Sequence, residues 1–494
     1  MENQLTLEQI QNFKGKYPKQ LWYLFTIEMW ERFCFYGMRG VLTIFMADQL
    51  FLKEDAANLQ YGAIQAFVYA FTFIGGIFAD KILGFKKALV FGGIIMILGN
   101  LLIAFSPKDM FYFGIVFSII GTGFFKPNIS SMVGELYTRD DNRRDAGYSL
   151  FYAGINIGGF FGGLLCVWLG KYVSWQLCFL AAAIVMVFGL VTFFITKKSL
   201  GPIGDSPKFK DEKPQSNIKE IAVYVGALLS MPLIYIMVKN TNYTDYFMYL
   251  IGAVAVCYFI YEVWKLSDNS AQKKMIAAFT FIFFYFVFNS IYEQSGGSLS
   301  LFAKDNLTHN LLGFNMDPNF VNNSSNTLFV VLLSPIIGLL WLALAKRKIE
   351  PNTLIKFGIG FLFLSASFYI FYYTKFFANS KGITSLNVFT FAYFVTTIGE
   401  LCLGPIGMSI ITKLSPKKLF GMMMGLWFLA SAFGQWAAGK LGAEISKSNT
   451  GTTLLTKLQS YTDGYYTLAI YALIAGIILI ILSPIIKKLM QEVK

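Results

Sequence analysis

The chain has 494 residues, of which 55% are hydrophobic and only 14% charged, with a mean hydropathy of +0.55. Soluble chains average about 25% charged residues, so a water-soluble globular fold is excluded. The formal charge of +13 fits basic loops beside anionic lipid, and no nucleic-acid partner is implied.

Apolar runs of spanning length, about 20 residues each, recur along the whole chain. They are expected at roughly 21–47, 58–79, 87–106, 110–134, 146–169 and 174–196. After a polar stretch they resume at roughly 219–238, 246–265, 274–303, 325–345, 353–377, 386–412, 419–443 and 462–486. Continuous runs of this kind are not the alternating ten-residue pattern of a β-barrel. The expected class is an all-α integral membrane protein with fourteen transmembrane helices.

Lys and Arg concentrate in alternate connections, among them Lys81, Lys86 and Lys87, then Arg139, Arg143 and Arg144, then Lys346, Arg347 and Lys348. The positive-inside rule puts these connections and both termini in the cytoplasm. The first apolar run is too long for a cleavable signal peptide and lacks a small-residue cleavage site. Cys34, Cys166, Cys178, Cys257 and Cys402 all fall in expected spans without CxxC spacing, which reads as helix packing and not as disulfides or metal ligands.

KKSLGPIGDSPKFKDEKPQSN at 197–217 is the one clear linker, with six spans before it and eight after. Two six-helix halves joined by a polar cytoplasmic loop resemble the plan of the major facilitator superfamily, whose substrate site lies at midplane between the halves. The expected domains are a six-helix bundle at 1–197, the linker at 198–218, an inserted helical hairpin at 219–268 and a second six-helix bundle at 269–494.

GGIFADKILGFKK at 75–87 resembles that superfamily's G-x-x-x-D-[RK]-x-x-G-[RK]-[RK] loop through Gly76, Asp80, Lys81, Gly84 and Lys87, with Phe85 at the first basic position. Glycines there allow helix ends to approach and turn tightly, and Asp80 is expected to take helix-end amides or a neighbouring arginine as partner. The motif implies conformational gating; a basic turn with an incidental Asp is the alternative.

The segment EMWERFCFYGMRG at 28–40 carries four ionisable groups inside the first span. At about 100° per residue, Glu28, Glu31, Arg32, Phe35, Tyr36 and Arg39 share one face. A charge facing lipid at midspan costs roughly 2.5 to 3.5 kcal/mol, so these groups must pair with one another across a wet cavity. A static cluster that locks two helices is the alternative. Further midspan charges are Lys126, Glu293 and Glu400. The first half is then net positive at midplane and the second net negative, which suits a zwitterion such as a peptide.

These residues also carry a family resemblance. Glu28-x-x-Glu31-Arg32-Phe33-x-x-Tyr36-Gly37 resembles the E-x-x-E-R-F-x-Y-Y-G signature of the proton-dependent oligopeptide transporter (POT) family, a branch of the major facilitator superfamily, with Phe35 replacing the first tyrosine. GTGFFKPNIS at 121–130, RRDAGYSLFYAGINIGGF at 143–160 and GELCLGPIGMSIITKLSP at 399–416 resemble its motifs in spans four, five and ten. The extra hairpin is usual in its bacterial members. The resemblance implies a proton-coupled symporter, not an enzyme, that imports di- and tripeptides by alternating access across a bacterial inner membrane. Protons are the coupling ion and no cofactor is implied.

It further implies that Arg39 and Lys126 hold the peptide carboxylate and that Glu400, helped by Asn156, holds the amino terminus. Tyr36, Tyr69, Tyr152 and Trp427 would line a tolerant pocket. Glu28, Glu31, Arg32 and Glu293 would couple the proton, with Glu293 pairing Arg39, and Glu28 or Glu31 pairing Arg32 and Lys126. Protonation of one acid frees a base for the substrate. His309, the sole histidine, reads as a solvated loop residue. Two departures stand out: Ser334 in LLSPII where members often have Asn, and Gly404 where a serine often follows the span-ten glutamate; both remove polar contacts. A porter for another zwitterion or anion, such as a peptidomimetic or nitrate, is the alternative function. The glycines at 421, 425, 434 and 439 and the SGGS at 295–298 mark close helix approach and a break in span seven, either as gates or as packing.

Overall fold

The computed structural model describes residues 5–138, 141, 143–207, 217–447 and 453–491, the side chains of Pro405 and Lys417 excepted. Arg139 and the 208–216 stretch of the linker lie outside the described residues. Helices dominate because lipid offers backbone amides and carbonyls no partner, so each segment must satisfy its own.

In chain order the helices are α1 Leu7–Gln11, α2 Lys19–Asp48, α3 Glu54–Phe78, α4 Phe85–Phe105, α5 Phe111–Glu135, α6 Arg144–Tyr172, α7 Trp175–Thr196, α8 Asn217–Leu229, α9 Met231–Lys239 and α10 Thr241–Trp264. They continue with α11 Asn269–Tyr292, α12 Ser298–Asn306, α13 Pro318–Lys346, α14 Thr353–Tyr373, α15 Leu386–Leu414, α16 Phe420–Ser446 and α17 Leu454–Met490. Among the described residues, eleven helical segments are long and apolar enough to cross a membrane. The other three expected spans correspond to α2, α5 and α16, helices of 30, 25 and 27 residues.

Local chemistry sets many of the ends. Asp268 accepts from the amides of Ser270 and Ala271 to start α11, and Asp317 accepts from Asn319 and Phe320 with Pro318 opening α13. Asn352 caps α14 through the Ile355 amide. Each side chain satisfies an amide that the first helical turn leaves unpaired.

Two expected spans are broken. The segment expected at 219–238 is α8 and α9 with Ser230 between them, its hydroxyl donating to the Ala227 carbonyl at 2.6 Å. The segment expected at 274–303 is α11, a turn over 293–297, and α12. The connection from α12 to α13 holds an antiparallel pair, β1 Asn310–Leu311 and β2 Phe314–Asn315, with Asn310 opposite Asn315. Leu312 and Gly313 both have positive φ there, as a two-residue hairpin turn demands. His309, just before it, is exposed.

Close packing groups the chain into two units: Met1–Phe45 with Phe67–Lys239, and Met46–Ala66 with Asn240–Lys494. Of the segments expected to form a hairpin, α8 and α9 therefore belong to the first unit and α10 to the second. In the first unit α4 packs along α5 and α7; in the second, α14 packs along α15 and α17, and α11 along α16. The α4–α5 seam is tight because glycines form it: a Cβ on Gly92 would lie 2.5 Å from the Gly121 carbonyl, and one on Gly99 2.6 Å from that of Gly114.

The opening of the linker is a built strap on the first unit. The Gly204 amide donates to Glu135 Oε2 at 3.2 Å, the Lys86 amide to the Gly204 carbonyl at 2.9 Å, and the Ser206 hydroxyl to the Ile82 carbonyl at 3.0 Å. Leu200 and Ile203 are buried beneath it. Gly84 faces the strap with φ +78 and ψ 156, and a Cβ there would sit 2.5 Å from the Ser206 amide nitrogen. All five cysteines are free thiols, four buried and Cys257 exposed.

Candidate substrate and coupling site

In the first unit the charged face of α2 is buried: Glu28 and Arg32 are 1% exposed and Glu31 0%. Arg32 Nε donates to Glu31 Oε2, its Nη2 donates to Glu31 Oε1 at 2.5 Å, and Nε lies 3.2 Å from Glu28 Oε1. A planar guanidinium meeting one carboxylate at two points is a strong and directional pairing. Aromatic rings flank it, with the Arg32 guanidinium 5.0 Å from the Phe35 ring centre and the Arg39 guanidinium 5.9 Å from that of Tyr36. Both distances allow cation–π attraction.

Lys126 comes from α5, and its ammonium lies 4.9 Å from the Tyr69 ring centre on α3. It is within electrostatic range of Arg32, Glu31, Glu28 and Arg39. Pro127 follows it inside the helix and removes the amide that would bond to the Gly123 carbonyl. On α6, the buried Asn156 donates its amide to the Tyr152 carbonyl at 2.8 Å, and the Tyr152 side chain is exposed. Three cations thus share this region with two carboxylates.

In the second unit Glu400 of α15 accepts at Oε2 from the Tyr292 hydroxyl at 2.8 Å and from Asn326 Nδ2 at 2.7 Å. Asn326 Nδ2 also lies 3.2 Å from the Thr397 hydroxyl. Glu293 is the first residue past α11, at the break before α12, and is buried at 7% exposure. The break is pinned: Asn322 donates to the Ser295 carbonyl at 2.7 Å, Gln294 to the Ala438 carbonyl at 3.0 Å, and Ser298 to Gln294 Oε1 at 2.7 Å. The rings of Tyr285 and Trp427 stack at 3.8 Å and 13°, and Tyr285 is within electrostatic range of Glu293 and Glu400.

Several expected roles change. Ser334 donates to the Val330 carbonyl of its own helix at 2.6 Å. The α13 side chain that reaches Glu400 is Asn326, two turns earlier. The expectation that α13 offers Ser334 in place of an amide is corrected, and the polar contact is present. Gly404 faces open space, with nothing within 4 Å of a Cβ placed on it. Asp80 is exposed on a single π-helical turn, Ala79–Leu83, with no hydrogen-bond or ion partner among the described residues, contrary to the expected amide or arginine. Gly76 is not sterically required, because a Cβ there would meet Pro127 at an ordinary 3.5 Å. Gly84 is.

Tyr285, Tyr292 and Asn326 were not legible as site residues. For Asn326 a signal existed: NNSSN at 322–326 is a polar run leading into an apolar helix, costly in a membrane unless it finds partners. The two tyrosines carried none, in a chain with 27 of them.

Long apolar helices with carboxylates and cations buried among them, in this order, define a multi-pass membrane transporter of the major facilitator type. A family model described as the POT family matches residues 86–458. The chain is 34% identical over 491 residues to the uncharacterized transporter YclF of Bacillus subtilis, covering 97% of this chain and 96% of that one. It is 33% identical over 500 residues to the peptide transporter YePEPT of Yersinia enterocolitica, covering 96% of each. The crystal structure of a peptide transporter variant in complex with alafosfalin matches with a TM-score of 0.84 at 30% identity, over 99% of this chain and 100% of that one. The chain belongs to the POT family.

Proposed function

We propose that the protein is a proton-coupled symporter that imports di- and tripeptides by alternating access across a bacterial inner membrane, with both termini in the cytoplasm. The observation that carries this reading is the opposite charge character of two sets at least half-buried: Arg39 and Lys126 in one unit, Glu293 and Glu400 in the other. A peptide has one carboxylate for the first set and one ammonium for the second. The name of the Yersinia relative and the ligand of the solved variant support the substrate class.

In this reading Arg39 and Lys126 hold the carboxylate, with Tyr36 and Tyr69 as neighbouring ring faces. Glu400 receives the ammonium, oriented by the hydrogen bonds from Tyr292 and Asn326, and the Tyr285–Trp427 stack gives side chains an undemanding apolar surface. Asn156 and Tyr152 complete the set; Asn326 takes the place first given to Ser334. Glu28, Glu31 and Glu293 are the proton carriers. Protonating Glu31 would remove the two-point partner of Arg32 and shift the charge balance felt by Lys126. The turn with Gly76, Asp80 and Gly84 serves the conformational gate. The proton is the coupling ion, and transport requires no further cofactor or catalytic group.

The test is uptake of labelled dialanine into proteoliposomes with and without an inward proton gradient. Gradient-driven accumulation, abolished in Lys126→Ala and absent in Glu31→Gln and Glu293→Gln, is expected. Full proton-driven accumulation in both glutamine variants overturns the coupling assignment. Failure to take up any di- or tripeptide overturns the substrate class.

A further inference from the structure

In the second unit a cavity of about 760 Å³ opens among the ends of α13, α14, α15 and α17, and four lysines line it: Lys348, Lys356, Lys413 and Lys487. Glu350 is the one acid in that lining. It is paired with Lys356, whose ammonium also lies 4.8 Å from the Trp341 ring centre and which is 9% exposed. Lys348, Lys413 and Lys487 have no carboxylate partner among the described residues. Three uncompensated cations from three different elements therefore converge on one concavity.

A second basic cavity shows why this matters. In the first unit a cavity of about 450 Å³ is lined by Lys86, Lys87 and Lys197. There Lys86 lies 2.9 Å from Asp205 and Lys87 2.6 Å from Glu220. Two of its three lysines are thus paired with carboxylates. In the larger cavity, among the described residues, only one lysine of four is so paired.

Like charges around a concave, low-dielectric wall repel one another and raise the local concentration of anions. The volume falls within the range of small-molecule sites, about 300–1,000 Å³. Its size exceeds what one halide fills. Ammonium groups act as point charges and suit phosphate, whereas planar carboxylate recognition favours the arginine fork; this lining contains lysines and no arginine. Thr353, Ser409 and Gln491 add hydroxyls and an amide, and Leu354, Ile410 and Met490 add apolar surface. Thr353 also opens α14, so the positive end of that helix dipole adds to the field of the lysines.

We propose that this cavity binds a compound carrying two or more phosphate groups, bridging the ends of α13, α15 and α17. The chemistry is shared by a soluble diphosphate ester and by a diphosphate lipid headgroup. The basic connections put this end of the helices on the cytoplasmic side, where both are available.

The experiment uses the full chain. In detergent, inorganic pyrophosphate is titrated by calorimetry; in nanodiscs of neutral lipid, retention of added cardiolipin is measured. At least one probe is expected to bind saturably, and Lys413→Gln with Lys487→Gln is expected to weaken that binding tenfold or more, while Lys381→Gln leaves it unchanged. Lys348→Gln, outside the helices, replaces the double variant should the latter unfold. Binding of pyrophosphate supports a soluble ligand, and retention of cardiolipin alone supports a lipid. No saturable binding of either probe, or binding unaltered by these substitutions, overturns the proposal. Dipeptide uptake is not the readout, so this test and that of the transport reading fail independently.

Discussion

The Tyr292 hydroxyl donates to Glu400 Oε2 at 2.8 Å, tying the last turn of α11 to the middle of α15. The bond places a hydroxyl from the residue before Glu293 on the carboxylate proposed to receive the peptide ammonium. One side chain thus touches one acid and neighbours another.

Tyr292→Phe removes that donor and leaves Asn326 on the same oxygen. A hydrogen bond to a charged group contributes about 1.5–3 kcal/mol, and the remaining donor offsets part of the loss. The expected result is a rise of roughly fivefold in the KM of dipeptide uptake, equivalent to about 1 kcal/mol. Asn326→Ala should act in the same direction, and the two together should depart from additivity because they share one acceptor. Concentration series of dialanine uptake for the three variants check this.

Arg32→Met leaves Glu28 and Glu31 buried without their cation. Breaking a buried pair by removing one partner costs about 3–5 kcal/mol, so the purified variant should unfold at distinctly lower temperature in detergent. Glu28→Gln should cost less than Glu31→Gln, since Glu31 takes two guanidinium donors and Glu28 lies beside one. Thermal unfolding followed by intrinsic fluorescence ranks the three.

Gly84→Ala puts a Cβ 2.5 Å from the Ser206 amide nitrogen at φ +78 and ψ 156. That backbone region is essentially reserved for glycine, and occupying it otherwise costs about 1–3 kcal/mol. A lowered unfolding temperature is expected. Gly226→Ala is the control: Gly226 has nothing within 4 Å of a Cβ and lies in α8, so stability at or slightly above that of the parent is expected.

Asp141 and Arg143 fasten the N-terminal segment. The Arg143 side chain and amide donate to Asp141, holding its carboxyl below the usual carboxylate range. Arg143 Nη1 also donates to the Phe13 and Gly15 carbonyls at 3.2 and 3.0 Å, and its guanidinium lies 3.8 Å from the Phe13 ring centre. A depressed folded-state value means that the contribution is fully present above the ordinary carboxylate pKa of about 3.9. It is lost as pH falls through the folded value. Trypsin cleavage after Lys14 and Lys16, normalised at each pH to the protease's rate on an unstructured peptide, should therefore be slow and flat from about pH 5 to 8 and severalfold faster in Asp141→Asn. Cleavage equally slow in the variant would remove the role given to this pair.

What could be foreseen follows from cost. Glu28, Glu31 and Arg32 were legible because unpaired charge in lipid is expensive, so their presence in an apolar run demands partners on the same helix face. The break at 293–297 was marked by its glycines. Asn326 was mistaken for Ser334 because both lie on α13, eight residues apart, and a helix read alone does not say which of its polar residues meets a neighbour. The linker's first residues looked free because Pro, Gly and Lys suggest a loop; their bonds to Glu135 and Ile82 join positions far apart in the chain.

The sequence by itself determined that the chain lives in a bilayer, where its helices lie, and that acids and bases are buried among them. Those properties are set by local composition and by the free energy of placing each segment in lipid. Only the tertiary structure decided that α8 and α9 join the first unit and α10 the second, that Asn326 and Tyr292 hold Glu400, and that three lysines with no carboxylate partner among the described residues share a cavity. Each depends on which helix faces stay within a few ångströms of one another, and in a membrane that choice is made by packing and polar contacts between distant segments.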